Sequence, residues 1–458
     1  MTDDQKTAAI SRFLRFSRER AHRAQTIVGR TIPLVFLVPL FAGAQAMQRP
    51  SDEELKRRIE DYIAPLAAHD LSGTLLVARG GRVLVERSFG FANYEEGVLF
   101  TPTTPTNVAS ITKPLTNIIL AQLLEARRLS VNDTVSKWVP EYIYGKRMTV
   151  EQLMRHRAGV PHRLIPDEAQ SEPMTTDDMV RAANAMPLLF EPGSKSSYSS
   201  GGYAILAAVL EHVTGKGYDQ LLQEMVVRPV GARTVRHTNS RELLPGRAIS
   251  AIPIGTTVLN APLRDLSFLV GGGSVFTTPR DLFLVMQGVV NGKYGATARA
   301  ALLDSTGMHW NGVTNGYRAF ADWIPSDSLT VIFTGNTHTG AIDLMRRSIA
   351  QIATGANIKP PDLPSATVVA LSPSARARLE GRYDTGGGSV SPLKFISPTL
   401  ALFGDRGLAP LNDSTLFSFA DYARVSFTSN AAGKVEAVQW GAGTWGTGEL
   451  GPRFTRLP

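Results

Sequence analysis

Ser110 and Lys113 stand three residues apart in the stretch NVASITKPLTN, Asn107 to Asn117. A serine hydroxyl is a weak nucleophile until a base removes its proton. A lysine can be that base once desolvation or a neighbouring positive charge brings its pKa toward neutrality. On a helix the two side chains share a side, which makes them candidates for acyl transfer, Ser110 as nucleophile and Lys113 as activator. A helix start would add backbone N–H groups where an oxyanion develops. The bland alternative is two polar residues opening a helix, because Ser-x-x-Lys fixes only two letters. It recurs as Ser391-Pro392-Leu393-Lys394, where a proline and the lack of helical periodicity read as an edge strand or turn. Other routes lack their residues. The chain has no cysteine, hence no thiol nucleophile or Cys-ligated metal. Its eight histidines form no His-Glu-x-x-His string, and no Gly-x-Ser-x-Gly elbow is present. No metal and no cofactor are expected.

The elements that must position this pair can be read from periodicity. Ser51 and Glu54 form a capping-box pattern ahead of Leu55, Ile59, Ile63 and Leu66 at helical spacing. Gly73 to Val77 and Arg82 to Arg87 read as a hairpin around Gly80-Gly81. Beyond a Pro/Thr-rich loop, Leu115, Ile118, Ile119, Leu123 and Leu124 place Ser110 at or near a helix N-terminus. Gly202 to Thr214 is a strong helix stopped by Gly215, and Thr278-Pro279 starts another. Tyr317 to Ile324 and Leu329 to Phe333 read as paired strands, followed by a helix from Leu344 to Ile352. The expected fold is α/β in composition and of the α+β type. An antiparallel sheet, its first strands from one end of the chain and its last from the other, is flanked by helices and joined by a helical subdomain. After Lys359-Pro360-Pro361-Asp362-Leu363-Pro364, short β-type runs predict a small C-terminal β domain.

The first 30 residues hold seven basic side chains, and an apolar run from Ile32 to Ala42 leads to Ala44-Gln45-Ala46. That is the layout of an export signal cleaved after Ala46. The run is eleven residues with two prolines, short for a membrane span, so cleavage is expected rather than the alternative of a retained N-terminal anchor. No stable insertion is expected after it, and the mature chain belongs in the periplasm or outside the cell. The formal charge of +8 falls to +4 without residues 1–46, an ordinary solubility charge with no nucleic-acid signature. The expected organisation is an export signal over 1–46, a catalytic domain over 51–355, a linker over 356–371 and the β domain over 372–458.

The chain resembles the serine β-lactamase and penicillin-binding-protein superfamily, in particular the group related to class C β-lactamases and their esterase relatives. The resemblance rests on GTLLVARGGRVLVERSFGFAN, NVASITK, LMRHRAGVP, EPGSKSSYSSGGYAILAAVLEHVTGK, GGGSVFTTPRDL and NGYRAFADWIPSDSLTVIFTGN, in that order between residues 73 and 336. It implies a β-lactamase/transpeptidase-like fold and an acyl-enzyme on Ser110. It puts the second motif, Tyr-x-Asn, on Tyr198-Ser199-Ser200, with Tyr198 catalytic beside Lys113. Which of the two is the primary base stays open. It puts the third motif, on the strand before Gly316-Tyr317, at Trp310-Asn311-Gly312, with the N–H groups of Ser110 and Val313 as the oxyanion hole. His338-Thr339-Gly340 matches the third motif's letters in the wrong place. Ser200 for the usual Asn and Trp310 for the usual cation weaken contacts to amides and to substrate carboxylates, although His309 could supply some charge. Ser200, Trp310, Asn311 and Gly312 are the expected substrate contacts. The expected activity is therefore that of a carboxylesterase on neutral or apolar esters. A β-lactamase or D-aminoacyl peptidase is the alternative enzyme, and a catalytically weak binding protein the alternative of another kind. The partner is a small ester, lactam or short peptide.

Overall fold

A computed structural model describes residues 49–67, 71–254, 257–360, 368–386, 389–404, 406–441 and 451–458. The export signal read over residues 1–46 lies outside these, as does the linker stretch 361–367. The described residues divide into two compact units, one within 72–251 and 260–337, the other within 49–71, 252–259 and 338–458.

The first unit is built on a five-stranded antiparallel sheet. Its strands are β1 (Gly73–Arg79), β2 (Arg82–Phe89), β3 (Met308–Thr314), β4 (Tyr317–Ile324) and β5 (Leu329–Gly335), in spatial order β3-β4-β5-β1-β2. The expected closure of the sheet by both ends of the chain is present: β1 pairs with β5 from Gly73↔Gly335 to Arg79↔Leu329. Leu75, Leu76, Val77, Phe320, Ile332 and Phe333 are fully buried, as a sheet covered on both faces requires.

Three helices of this unit matter to the site. α1 (Thr112–Glu125) is largely buried, its polar Thr112, Lys113 and Thr116 included, with Leu115, Ile118, Ile119, Leu120 and Leu123 in the core, so it runs through the interior. α2 (Ser200–Thr214) is equally buried, starts on Ser199 as N-cap and stops at Gly215 in the left-handed region (φ 70°). α3 (Pro279–Val290) starts on Thr278 and packs against β1 and β5.

In the second unit the helix Asp52–Ala67 begins where Ser51 accepts the N–H of Glu54. The Glu54 carboxylate turns to Arg57 and Arg58, so only half of the capping box forms. This helix packs on the helix Gly340–Ala353. The predicted β domain is a closed antiparallel barrel of eight strands: β6 (Gly381–Gly386), β7 (Ser389–Ser397), β8 (Leu400–Phe403), β9 (Arg406–Asn412), β10 (Thr415–Ser418), β11 (Ala423–Ser429), β12 (Val435–Trp440) and β13 (Arg453–Arg456). Closure removes the exposed edges that a small open sheet would present. Side chains fill the interior, including Tyr383, Phe403 and Trp440. Ser391 and Lys394 lie together on β7, and an odd spacing on a strand points two side chains to opposite faces. Among the described residues no helix is long and apolar enough to cross a membrane.

Candidate active site

Ser110 sits in a 3-10 turn, Ala109–Ile111, that runs directly into α1. The turn is strained: Ala109 has φ 47°, a region an L-residue with a Cβ rarely adopts. Asn107 holds it there. Its side-chain oxygen accepts the N–H of Ala109 at 2.8 Å, and its amide nitrogen donates to the carbonyl of Gly273 at 3.2 Å. Val108 N–H donates to Val275 at 2.9 Å, and Thr112 Oγ1 accepts the N–H of Val275 at 3.1 Å. The serine's loop is thus tied to the Gly271-Gly272-Gly273 crossing. Gly271 needs its glycine, since it has φ 70° and a Cβ would sit 2.5 Å from the carbonyl oxygen of Tyr203.

Lys113 is the second residue of α1, one turn beyond Ser110, and is 5% exposed. Its Nζ donates to the carbonyl of Gly272 at 2.6 Å and to Ser200 Oγ at 3.1 Å, and stands 3.4 Å from Ser110 Oγ. No carboxylate is among these partners, and loss of water pushes its pKa down to about 7. Tyr198 also reaches the serine, its hydroxyl donating to Ser110 Oγ at 2.7 Å. The Lys113 ammonium is 4.7 Å from the centre of its ring. About half of Tyr198 is exposed, yet desolvation around the phenol raises its pKa, with the Ser110 contact opposing. The amine is therefore ready to lose its proton near neutrality, whereas the phenol holds its own more tightly than usual.

Two histidines that the residue types alone did not single out flank this tyrosine. The rings of His156 and His162 lie 4.6 and 5.4 Å from that of Tyr198. Their Nδ1 atoms accept the N–H groups of Ser199 at 3.2 Å and Ser200 at 3.1 Å. Burial first, then the nearby Lys113, depress both to about 4. Both fall in or beside the LMRHRAGVP segment, which read as family likeness without a role.

The third motif lies on β3, an edge strand, which leaves a row of outward backbone groups for a ligand. Gly312 presses against the serine's loop: a Cβ there would stand 2.2 Å from the Val108 carbonyl oxygen and 3.1 Å from Ser110 N. This close approach brings Val313 into the same neighbourhood. Along β3 the side chains alternate. His309, Asn311 and Val313 are exposed, while Met308 and Trp310 are buried. Trp310 is 7% exposed and belongs to the core cluster, so its indole is packed by protein and presents little surface to a substrate. Ser200 is buried too and turned to Lys113. His309 contacts Asp322 at 3.0 Å, and the Arg318 guanidinium donates to the carbonyls of Ala319 and Gly312. His338 stands just before the helix Gly340–Ala353, 3.6 Å from Asp343.

Sequence distance hid one other grouping. Glu141, Asp177 and His212 bring their possible ligand atoms within 4.8 Å of one another at a surface hollow of about 750 Å³. All three are exposed, Lys137 and Lys216 line the same hollow, and none of Ser110, Lys113 or Tyr198 does.

The model of the family described as Beta-lactamase matches residues 56–361. This chain belongs to the beta-lactamase family. Among curated relatives, the teichoic acid D-alanine hydrolase of Staphylococcus aureus is 26% identical over 49% of this chain and 55% of its own. The chain spans 39% to 62% of the length of the first three curated relatives it matches. Among solved structures, FmtA of Staphylococcus aureus is similar with a TM-score of 0.59 and 20% identity, over 70% of this chain and 96% of that one. SurE is similar with a TM-score of 0.54 and 20% identity, over 89% of this chain and 99% of that one, a share too large to leave out the barrel. These structural likenesses show that the fold is shared with those proteins.

Proposed function

We propose that the protein is a serine hydrolase that forms an acyl-enzyme on Ser110 and acts as an esterase on neutral substrates, within the part of the family related to class C β-lactamases. The observation that carries the reading is the pair of contacts on Ser110 Oγ: Tyr198 OH at 2.7 Å and the dehydrated Lys113 amine at 3.4 Å.

In this scheme neutral Lys113 takes the Ser110 proton as Oγ bonds to the ester carbonyl carbon. The N–H groups of Ser110 and Val313 hold the oxyanion. The lysine's extra proton passes to the leaving alkoxide through Tyr198, whose hydroxyl gives one proton and receives another. The carbon–oxygen bond breaks, the alcohol departs, and a water then repeats the sequence on the acyl-serine, releasing the acid and restoring the Ser110 hydroxyl. Lys113 is the primary base here, because its pKa is pushed down to about 7 whereas that of Tyr198 is raised.

Preference for neutral esters draws on what surrounds the third motif. Position 310 carries a buried indole in place of a cation, Arg318 is buried against carbonyls, and His309 is paired with Asp322. Among the described residues of β3 and β4, the basic side chains His309 and Arg318 are thus already engaged, which disfavours a substrate carboxylate there. The named relative acting on teichoic acid D-alanine makes D-alanyl esters a sensible member of the test set. The experiment compares kcat/KM for a neutral nitrophenyl ester, a D-alanyl ester, a chromogenic cephalosporin and a D-aminoacyl anilide, with a fluorophosphonate probe locating the nucleophile by peptide mass spectrometry. Preference for the cephalosporin over both esters defeats the esterase reading in favour of a β-lactamase. Labelling away from Ser110 defeats the whole scheme. The basic and apolar leader supports an activity outside the cytoplasm, in which case N-terminal sequencing of exported protein should begin at Met47.

A further inference from the structure

His156 and His162 belong to a zipper between two loops. Ser197 N–H donates to the carbonyl of His156 at 3.0 Å, and Gly201 N–H to the carbonyl of His162 at 3.2 Å. Ser199 Oγ donates to the carbonyl of Pro161 at 3.1 Å. Between these, the N–H groups of Ser199 and Ser200 end on imidazole nitrogens rather than carbonyls. The residue so bracketed is Tyr198. It is held along the backbone on its C-terminal side by both histidines and touched on its ring by both.

An imidazole accepts at Nδ1 only while that nitrogen has a lone pair, so each ring must be neutral and carry its proton on Nε2. The imidazolium has N–H at both positions and would face a backbone N–H with another donor. The surroundings oppose its formation: Lys113 from α1 faces both rings, Arg163 adds positive charge beside His162, and Tyr203 from α2 packs on His156 at 5.3 Å. His156 itself has φ 58°, a conformation that only a fixed local structure maintains in a residue with a Cβ.

We infer that His156 and His162 are positioning residues of the hydrolase, neutral imidazole acceptors that latch the Ser199–Ser200 backbone and so hold the Tyr198 hydroxyl on Ser110. The inference rests on the reading of Ser110 and Tyr198 given above. It adds a second acid sensitivity to the site. Between pH 7 and 4 activity falls with protonation of Lys113, about ten-fold per unit. Near pH 4, where the imidazoles take up protons, the latch opens and the fall steepens.

The test uses His156→Leu and His162→Leu, which remove the acceptor, beside His156→Asn and His162→Asn, whose side-chain oxygen stands near the Nδ1 position but cannot titrate. Each Leu variant should lose about 10- to 100-fold in kcat on a neutral ester at pH 7, the scale of one buried donor left without an acceptor. Each Asn variant should recover at least ten-fold of that and follow the single ten-fold slope down to the lowest pH at which circular dichroism shows it folded. Nitrogen-15 spectra of the parent at pH 5.5 should show both rings neutral with the proton on Nε2, a readout independent of any substrate. Imidazolium rings at that pH overturn the inference, and so do Leu variants as active as the parent or Asn variants as impaired as Leu. If the parent itself is not labelled at Ser110, the hydrolase reading fails and takes this inference with it. Normal labelling with indifferent histidine variants defeats the inference alone.

Discussion

Replacing Lys113 by methionine should make the protein more stable and much less active, and the size of the gain should depend on pH. The amine is buried with no carboxylate partner, and its pKa falls from 10.5 to about 7. At about 1.36 kcal/mol per unit, that difference corresponds to roughly 4 to 5 kcal/mol of destabilisation at pH 7. Methionine is of similar length and needs no water. It forfeits the bonds to Gly272 and Ser200, and the stranded carbonyl of Gly272 takes back about 1 to 3 kcal/mol. The net expectation at pH 7 is a variant roughly 2 kcal/mol more stable than the parent. The folded pKa lies below the unfolded one, so the parent loses stability as pH falls from 10.5 to 7 and loses no more from this group below that window. The variant's advantage must therefore shrink as pH rises toward 10 and become a deficit where the amine is neutral in both states. Thermal unfolding of both proteins at pH 7 and pH 10 measures this, with kcat/KM expected to fall by at least about 10²-fold in the variant. A difference in melting temperature that is the same at the two pH values refutes the claim that Lys113 is held dry and near neutrality.

Three further outcomes are expected. Tyr198→Phe keeps the half-exposed ring and removes only the hydroxyl on Ser110, so turnover should drop about 10²-fold with an unchanged melting temperature; parental turnover on every accepted ester would remove Tyr198 from the proton path. Gly312→Ala puts a methyl group 2.2 Å from the Val108 carbonyl oxygen, which must force β3 away from the serine's loop, so fluorophosphonate labelling of Ser110 should slow by about 10²-fold or more; an unchanged rate would mean that the β3 edge is not part of the oxyanion site. Trp310→Ala should act chiefly on stability, at about 3 to 5 kcal/mol for a buried aromatic; a variant that melts like the parent but changes its ester-to-lactam ratio would return Trp310 to the substrate wall.

The sequence by itself settled the parts of this protein that repeat locally. Hydrophobic periodicity fixed the helix after Ser110, the helix stopped by Gly215 and the hairpin at Gly80-Gly81, because helix and strand each impose a spacing that only a few apolar patterns satisfy. It also put Ser110 and Lys113 on one side of a helix start, since three residues of helix bring two side chains together, and the structure makes that start a 3-10 turn running into α1. Tertiary structure decided what those residues can do. Nothing in the letters says that Lys113 ends on the Gly272 carbonyl with its water stripped away, and its readiness to act as a base follows from that burial. The strain at Ala109 had a faint local sign in Asn107, whose side chain often bonds to backbone two residues on, but its second bond to Gly273 spans 166 residues. The Tyr198 latch joins loops some 40 residues apart through ring nitrogens, a use of histidine that residue type alone does not reveal. Trp310 makes the same point in reverse. A change of residue type at a family position read as a change in substrate contact, yet whether an indole meets a ligand or the core depends on what packs over its face of the strand, and here the core fills that space.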